Sequence, residues 1–384
     1  MTFEGYGLSE NPFIGASEQF PLVDRREVLG HLAEVTSRFV EASSPAIIAV
    51  LGAYGLGKTA ILHSVLSKIQ KNEFLPGGVP PVRGAYMKAL PPDSTSKYIL
   101  YVYRSISHGL GLQTFLDWRA KAQADDRSPL GIPRALRAGG EDIAKAINSL
   151  GTPSRPGSGW TYLSGQKLPA ASLSELSLSS QIDTNESAMG RIIDLLRLSK
   201  RMGEGGLVLL VDEWEYLFTA TTRSKAVQLH TAVKEVYDRI REAVEGGDEL
   251  AALTILIACT PLAWQSVIPR TEEAESPAGV QPFAQRVADE YTVEPLNLDY
   301  TRALIRSRLD ARRIAQPKEP LSPFTEEAVK AIYGRAQGSP RDTLGCCAFL
   351  LEQAVLEDKH SIDGKFANEL LQAYQFPLGN APSA

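Results

Sequence analysis

Ala46-Ile47-Ile48-Ala49-Val50-Leu51-Gly52-Ala53-Tyr54-Gly55-Leu56-Gly57-Lys58-Thr59 is the stretch that decides how this chain is read. Its opening run, Ala46 to Leu51, is short, apolar and uncharged, as expected of a strand buried on both faces of a parallel sheet. The continuation, Gly52 to Thr59, satisfies G-x-x-x-x-G-K-[ST] at every fixed position. From Lys58 to Lys71 the spacing of Ile61, Leu62, Val65 and Ile69 is helical. Strand, glycine loop, helix is the order in which backbone N–H groups and a helix N-terminus cradle phosphates. In such a loop Gly52, Ala53, Tyr54, Gly55, Leu56 and Gly57 shape the cradle, Lys58 reaches the β- and γ-phosphates, and the Thr59 hydroxyl ligates Mg²⁺. By composition alone the pattern arises in roughly one chain in a hundred of this length. The flanking strand and helix reduce that chance further.

Outward from the loop, the chain alternates apolar runs with helical ones. A helix is expected over Asp24 to Glu41, a strand near Gly84 to Lys88, and helices over Ser96 to Leu110 and Ala188 to Arg201. Leu207 to Val211 reads as a strand that delivers Asp212 and Glu213 at its carboxyl end. That end is where open parallel sheets bind ligands, so Asp212 is expected to handle the metal and Glu213 to polarise a water. A long helix over Ser224 to Val244 and a strand over Leu253 to Ala258 follow. Beyond Leu298 the pattern is entirely helical, through Tyr300 to Ile314, Thr325 to Gln337, Pro340 to Glu357 and Gly364 to Tyr374. The fold class is therefore α/β: a P-loop NTPase parallel sheet flanked by helices, over 1–297, with a small C-terminal helical lid over 298–384. Within the first domain, 113–187 gathers Pro, Gly and Ser and reads as an insertion with some short helices, partly irregular.

With the two motifs in place, the chain resembles AAA+ ATPases of the Orc1/Cdc6 clade and related ExeA-like and transposition ATPases. Leu22-Val23-Asp24-Arg25-Arg26-Glu27, the third strand ending at Thr260, and Gly338-Ser339-Pro340-Arg341 carry the rest of the likeness. The resemblance implies that Thr260 is the sensor 1 position near the γ-phosphate and that Arg341 is sensor 2, reaching from the lid. It places an arginine finger in Pro282-Phe283-Ala284-Gln285-Arg286-Val287, so that Arg286 would act on a neighbouring subunit's ATP, with Arg270 competing for the role. Bland readings stand beside these. Thr260 could cap a turn, Arg286 could be a solvated helix residue, and Arg341 could pair with Asp342. In the same family the base lies against the segment before the first strand, which points by position to Tyr6, Phe13 or Val23. A narrower likeness runs over Trp160 to Leu217, which is similar to ATP-binding proteins of BREX phage-defence systems. It would account for the long stretch between Lys58 and Asp212. Few residues follow Arg341, room for about two helices, so the winged-helix plan of an origin-binding initiator is not expected.

Composition limits the partners. With 384 residues, 43% hydrophobic and 22% charged, and a formal charge of -5, the chain is an ordinary mildly acidic one, with no global charge to draw it to nucleic acid. Three cysteines and five scattered histidines form no disulfide framework or metal spacing. No leader-like N-terminus and no run of 18 apolar residues are present, so a cytoplasmic protein without membrane insertion is expected. Arg302, Arg306, Arg308, Arg312 and Arg313 could form a basic stripe, or a solvated face balanced by Asp299 and Asp310. Arg127, Arg134, Arg137, Lys145, Arg155 and Lys167, with Trp118 and Trp160, could meet DNA or a partner protein, or be ordinary surface. The expected ligands are ATP and Mg²⁺. The expected partners are a homo-oligomer or an AAA+ partner subunit, with DNA or an effector protein possible, and the expected activity is ATP hydrolysis driving a switch or remodeller. A regulatory scaffold that hydrolyses slowly or not at all is the competing reading.

Overall fold

β1 (Ala46–Leu51) is followed in the computed structural model by four further strands, β2 (Val82–Lys88), β3 (Gly206–Asp212), β4 (Ala252–Cys259) and β5 (Val287–Thr292). The structure describes residues 2–15, 22–90, 97–125, 132–151, 156–219, 223–267, 281–315, 317 and 319–373. The strands form one sheet in the order β2-β3-β4-β1-β5. β2 runs parallel to β3, β3 to β4, and β4 to β1. Register is continuous: Leu207 lies opposite Arg83 and Leu253, and Ile47 opposite Ile255.

Parallel strands need long crossovers, and the helices supply them. They are α1 (Arg26–Glu41), α2 (Lys58–Gln70), α3 (Tyr98–Asp125), α4 (Glu141–Ser149), α5 (Pro156–Leu163), α6 (Ala170–Glu175), α7 (Asn185–Arg201), α8 (Tyr216–Thr219), α9 (Arg223–Glu245), α10 (Pro261–Val267) and α11 (Gln281–Ala284). The chain continues through α12 (Leu298–Asp310), α13 (Glu326–Ala336), α14 (Pro340–Leu356) and α15 (Gly364–Ala373). By its contacts the chain divides into two compact units, one of 1–29, 52–64 and 292–384, the other of 30–51 and 65–291.

In the sheet-bearing unit, Ile47, Ala49, Leu209, Val211, Ile255 and Ile257 join one core with Tyr103 and Ile106 of α3, Leu195 and Leu196 of α7, and Val233 and Val236 of α9. Their neighbours on the opposite face, Ile48, Val50, Val208, Leu210 and Leu256, are equally buried. Both faces are covered, which is why these strands read as unbroken apolar runs. The described residues of 113–187 hold short helices, as expected. α3 continues past Leu110 across a kink at Gly111, and α4 to α6 follow. Phe115, Trp118, Ile143, Ile147, Tyr162 and Leu163 enter the same core. A partly buried polar network fastens it: Arg191 donates to Asp142 and Asp194, Ser179 donates to Asp142, and Arg197 donates to Asp194 and Asp248. Burial raises the Asp194 carboxyl above its ordinary value even so, against the pull of Arg191 and Arg197.

β5 was not visible in the sequence. Val287 to Thr292 carries Asp289 and Glu290, and only alternate residues are partly covered, as at a sheet edge. The other unit has its own core, in which Ile305, Leu309, Ile332, Cys346, Leu350, Leu351 and Phe366 from α12 to α15 meet Tyr6, Leu8 and Phe13 from the N-terminal segment. Ser339 caps α14 by accepting from the Asp342 N–H, with Pro340 in its first turn, where the missing N–H costs nothing.

Candidate functional site

Gly55 and Gly57 have φ of 85° and 88°, values that side-chain-bearing residues rarely adopt, so the motif's glycines are where the backbone needs them. Lys58 opens α2 and is buried. Its ammonium turns back over the loop, donating to the carbonyls of Gly52 at 2.8 Å and Ala53 at 3.3 Å. Leu56 anchors the loop by burial, while Ala53 and Tyr54 are exposed and Thr59 is partly so. Arg25 is a further residue in this arrangement whose role the sequence did not disclose. Its buried guanidinium donates to the carbonyls of Leu56, at 3.1 Å, and Glu294, at 3.4 Å, tying three segments together. The only sequence signal was its place in Asp24-Arg25-Arg26-Glu27.

The Gly338-Ser339-Pro340-Arg341 turn meets this loop. Gly338 has φ of 77°, and a Cβ there would stand 2.2 Å from the Leu296 carbonyl oxygen. The Arg341 N–H donates to the Gly55 carbonyl at 3.3 Å, and its guanidinium lies 4.0 Å from the centroid of the Tyr54 ring. Among the described residues, no pairing of Arg341 with Asp342 is found. Tyr6 and Phe13, two of the residues suggested for the base, are instead taken up by the core of this unit. The Tyr6 hydroxyl donates to the Lys359 carbonyl, and Phe13 packs edge-on against Phe324. Val23 remains partly exposed.

In the sheet-bearing unit, Asp212 ends β3 and is almost fully buried. One carboxylate oxygen accepts from the Tyr86 hydroxyl at 2.8 Å, and the other from the Glu213 N–H at 2.9 Å. Glu213 is held at φ of 57°, a left-handed conformation that costs a residue of this kind about 1–2 kcal/mol. Its carboxylate accepts from Lys88 Nζ at 3.1 Å. The next residue fixes the turn: the Trp214 N–H donates to the Ala258 carbonyl of β4, and its buried indole donates to His230 and stacks on Phe283. Neither Tyr86 nor Lys88 was singled out from sequence. Both follow from the β2–β3 register, which sets Lys88 opposite Asp212.

Thr260 lies between β4 and α10, and its carbonyl accepts the Trp264 N–H at 2.9 Å, the geometry of a helix start. Arg286 is held within its own unit, its guanidinium donating to Asp238 at 2.9 and 3.2 Å. Burial raises the Asp238 carboxyl, but Arg286 and Lys234 together outweigh it and hold the carboxyl below its ordinary value. Arg270 lies outside the described residues. The suggested basic stripe on α12 is largely neutralised: Arg302 pairs with Asp299 and Glu326, Arg306 and Arg313 with Asp310, and Arg312 with Glu10. Trp118 is buried with its indole donating to Glu204, and the partly buried Trp160 packs on Phe115 and His108, so Trp118 belongs to the core and Trp160 to its margin. Arg137 pairs with Glu141, and Lys145 donates to the Ser177 carbonyl. Arg127 and Arg155 lie outside the described residues. Cys259, Cys346 and Cys347 are buried thiols, no metal-binding cluster of His, Cys, Asp and Glu occurs among the described residues, and no described helix is long and apolar enough to cross a membrane.

A parallel sheet covered on both faces, a glycine-rich phosphate loop issuing from β1 and an acidic pair closing β3 define an α/β fold of the P-loop NTPase class. No protein-family model matches the chain. It is 29% identical over 99 residues to an uncharacterised HTH-type transcriptional regulator of Methanocaldococcus jannaschii, a stretch that is 26% of this chain and 24% of that protein. The chain thus spans about a quarter of the length of the curated relative it matches. Among solved structures it is similar to the ORC2 protein of Aeropyrum pernix in ADPNP–ADP complexes, with 13% identity, a TM-score of 0.49 and coverage of 94% of this chain and 71% of that one. It is also similar to the Aeropyrum pernix ORC1 protein in complex with DNA, at 15% identity, TM-score 0.47 and 94% and 68% coverage. A third is the Thermotoga maritima RuvB Holliday junction branch migration motor, at 12% identity, TM-score 0.41 and 95% and 73% coverage. At such scores the fold class rests on strand order and loop, not on these likenesses.

Proposed function

We propose that the chain binds Mg-ATP on the Gly52–Thr59 loop and hydrolyses it. The observation that carries the reading is the loop itself. Two glycines with positive φ lead into a helix whose first residue, Lys58, folds its ammonium back over the loop's own carbonyls. Its hydrogen bonds to the Gly52 and Ala53 carbonyls are to neutral acceptors, and phosphate oxygens would make charge-assisted ones. Thr59 and Asp212 offer hydroxyl and carboxylate oxygens, the hard donors magnesium prefers. A magnesium ion brought in with the nucleotide would neutralise charge on the phosphate oxygens.

In this reading Lys58 stabilises the charge that grows on the transferring phosphoryl group, and the backbone N–H groups of the loop orient it. Glu213 orients and deprotonates the attacking water, and its strained backbone fixes where that carboxylate starts from. Arg341 adds positive charge from the lid turn, and Thr260 serves as the polar sensor after β4. Arg286 acts in trans only if its bonds to Asp238 open, which leaves Arg270 as the alternative finger. The resemblance of its motifs to those of AAA+ proteins supports a nucleotide-driven switch or remodeller in a DNA-related process, working as a homo-oligomer or with an AAA+ partner subunit.

A second reading has one observation in its favour. Lys88 engages the Glu213 carboxylate at 3.1 Å, and an oxygen occupied by an ammonium is not free to orient a water. An ATP-binding scaffold that hydrolyses slowly and recruits an effector protein would keep that pair closed. Steady-state phosphate release by the purified chain, with and without DNA, separates the readings when wild type is set beside Lys58→Ala, Glu213→Gln and Lys88→Ala. Turnover above the Lys58→Ala level supports the ATPase, and equal rates under every condition exclude it.

A further inference from the structure

The phosphate loop carries an aromatic ring that its motif does not require. Tyr54 stands at a free position of G-x-x-x-x-G-K-[ST], and its side chain is 54% exposed. The guanidinium carbon of Arg341 lies 4.0 Å from the ring centroid, well inside the range at which the face of an aromatic ring attracts a cation. Two further contacts join the same pair of turns. The Arg341 N–H donates to the Gly55 carbonyl at 3.3 Å, and a Cβ on Gly55 would stand 2.8 Å from Ser339 Oγ and 3.2 Å from Arg341 Cβ. Only a glycine at 55 lets the lid turn lie this close to the loop, and the ring beside it receives the arginine.

We propose that Tyr54 is a positioning residue for Arg341. Its ring holds the guanidinium at the tip of the phosphate loop, so that the long side chain is already ordered when it meets the terminal phosphate of a nucleoside triphosphate. This deepens, and rests on, the reading of Gly52–Thr59 as a nucleotide site. An arginine that must be ordered by its ligand loses rotamer freedom on binding, and a ring that restricts it beforehand reduces that loss. The attraction uses the ring face and not the phenol, so Phe should replace Tyr. Because Arg341 is read as meeting the terminal phosphate, the ring should matter for the triphosphate and not for the diphosphate.

The test measures mant-ATP and mant-ADP affinity with magnesium in the Glu213→Gln chain, where turnover does not blur binding. Tyr54→Leu should weaken mant-ATP about two- to fivefold, the equivalent of one exposed cation–π contact, and leave mant-ADP unchanged. Tyr54→Phe should restore mant-ATP binding. In an Arg341→Ala background Tyr54→Leu should add nothing. An equal loss for both nucleotides, a loss that persists without Arg341, or a Phe variant no better than Leu would each overturn the role of Tyr54 while leaving the nucleotide site standing. If the parent chain binds mant-ATP no better than its Lys58→Ala counterpart, the nucleotide site itself falls, and this role with it.

Discussion

At the scale of single residues, Asp212 shows how the proposed site would be prepared. Its two oxygens are already oriented, by the Tyr86 hydroxyl and by the N–H of Glu213, and each keeps a lone pair for a metal or a water. Partners of this kind orient a ligating carboxylate, and their loss typically weakens metal binding tenfold or more. Tyr86→Phe should therefore raise the magnesium concentration for half-maximal ATP turnover about tenfold, measured by titrating magnesium at fixed ATP. Lys88 acts on the neighbouring carboxylate with the opposite sign. Its ion pair with Glu213 is nearly half exposed on both sides, at 47% and 43%, and such pairs are worth up to about 1 kcal/mol. Releasing the base by Lys88→Ala should raise basal turnover, by up to about fivefold, in the same phosphate-release assay. Lys58, Thr59, Asp212 and Glu213 were legible in the sequence because their motifs are contiguous. Tyr86, Lys88 and Arg25 were not, because their partners come from a strand register and a chain crossing that no local spacing records.

At the scale of elements, two glycines stand hard against neighbouring backbone. α3 approaches β2 so closely that a Cβ on Gly109 would lie 2.4 Å from Ala85 Cβ and 2.5 Å from Ala85 Cα. Backbone cannot retreat as a side chain can, so Gly109→Ala should cost about 1–3 kcal/mol in a urea titration. Gly338→Ala combines a left-handed φ with a clash against the Leu296 carbonyl, and should cost at least about 2 kcal/mol. It should also lower ATP affinity, since that turn carries Arg341 to the loop. The strands buried on both faces announced themselves as apolar runs, and the helices of the second half by their periodicity. β5 did not, because an edge strand needs only alternate residues covered and tolerates Asp289 and Glu290. Short helices were expected within 113–187, but not their place in the core. The Pro, Gly and Ser that suggested irregularity punctuate helices that become stable by burying Ile143 and Leu163 in the shared core.

At the scale of the molecule, charge and packing argue against a surface that binds nucleic acid by bulk attraction. The formal charge is -5, Arg302 on α12 and Arg312 just after it are paired, Trp118 is in the core and Trp160 packs against it. If DNA stimulates turnover, the double variant Arg302→Ala/Arg306→Ala should leave DNA affinity, read by fluorescence anisotropy, within about twofold of wild type, since paired arginines release few counterions. The fold class was legible from one loop and a handful of apolar runs. What the proposed hydrolysis would drive was not, because that information resides in surfaces and assembly rather than in motifs. The central claim is the hydrolysis of ATP on the Gly52–Thr59 loop, and it is tested most directly by steady-state phosphate release from Mg-ATP. Wild type should turn over, Glu213→Gln should bind ATP but release phosphate at least about a hundredfold more slowly, and Lys58→Ala should do neither. Wild type no faster than Lys58→Ala, with and without DNA, would contradict it.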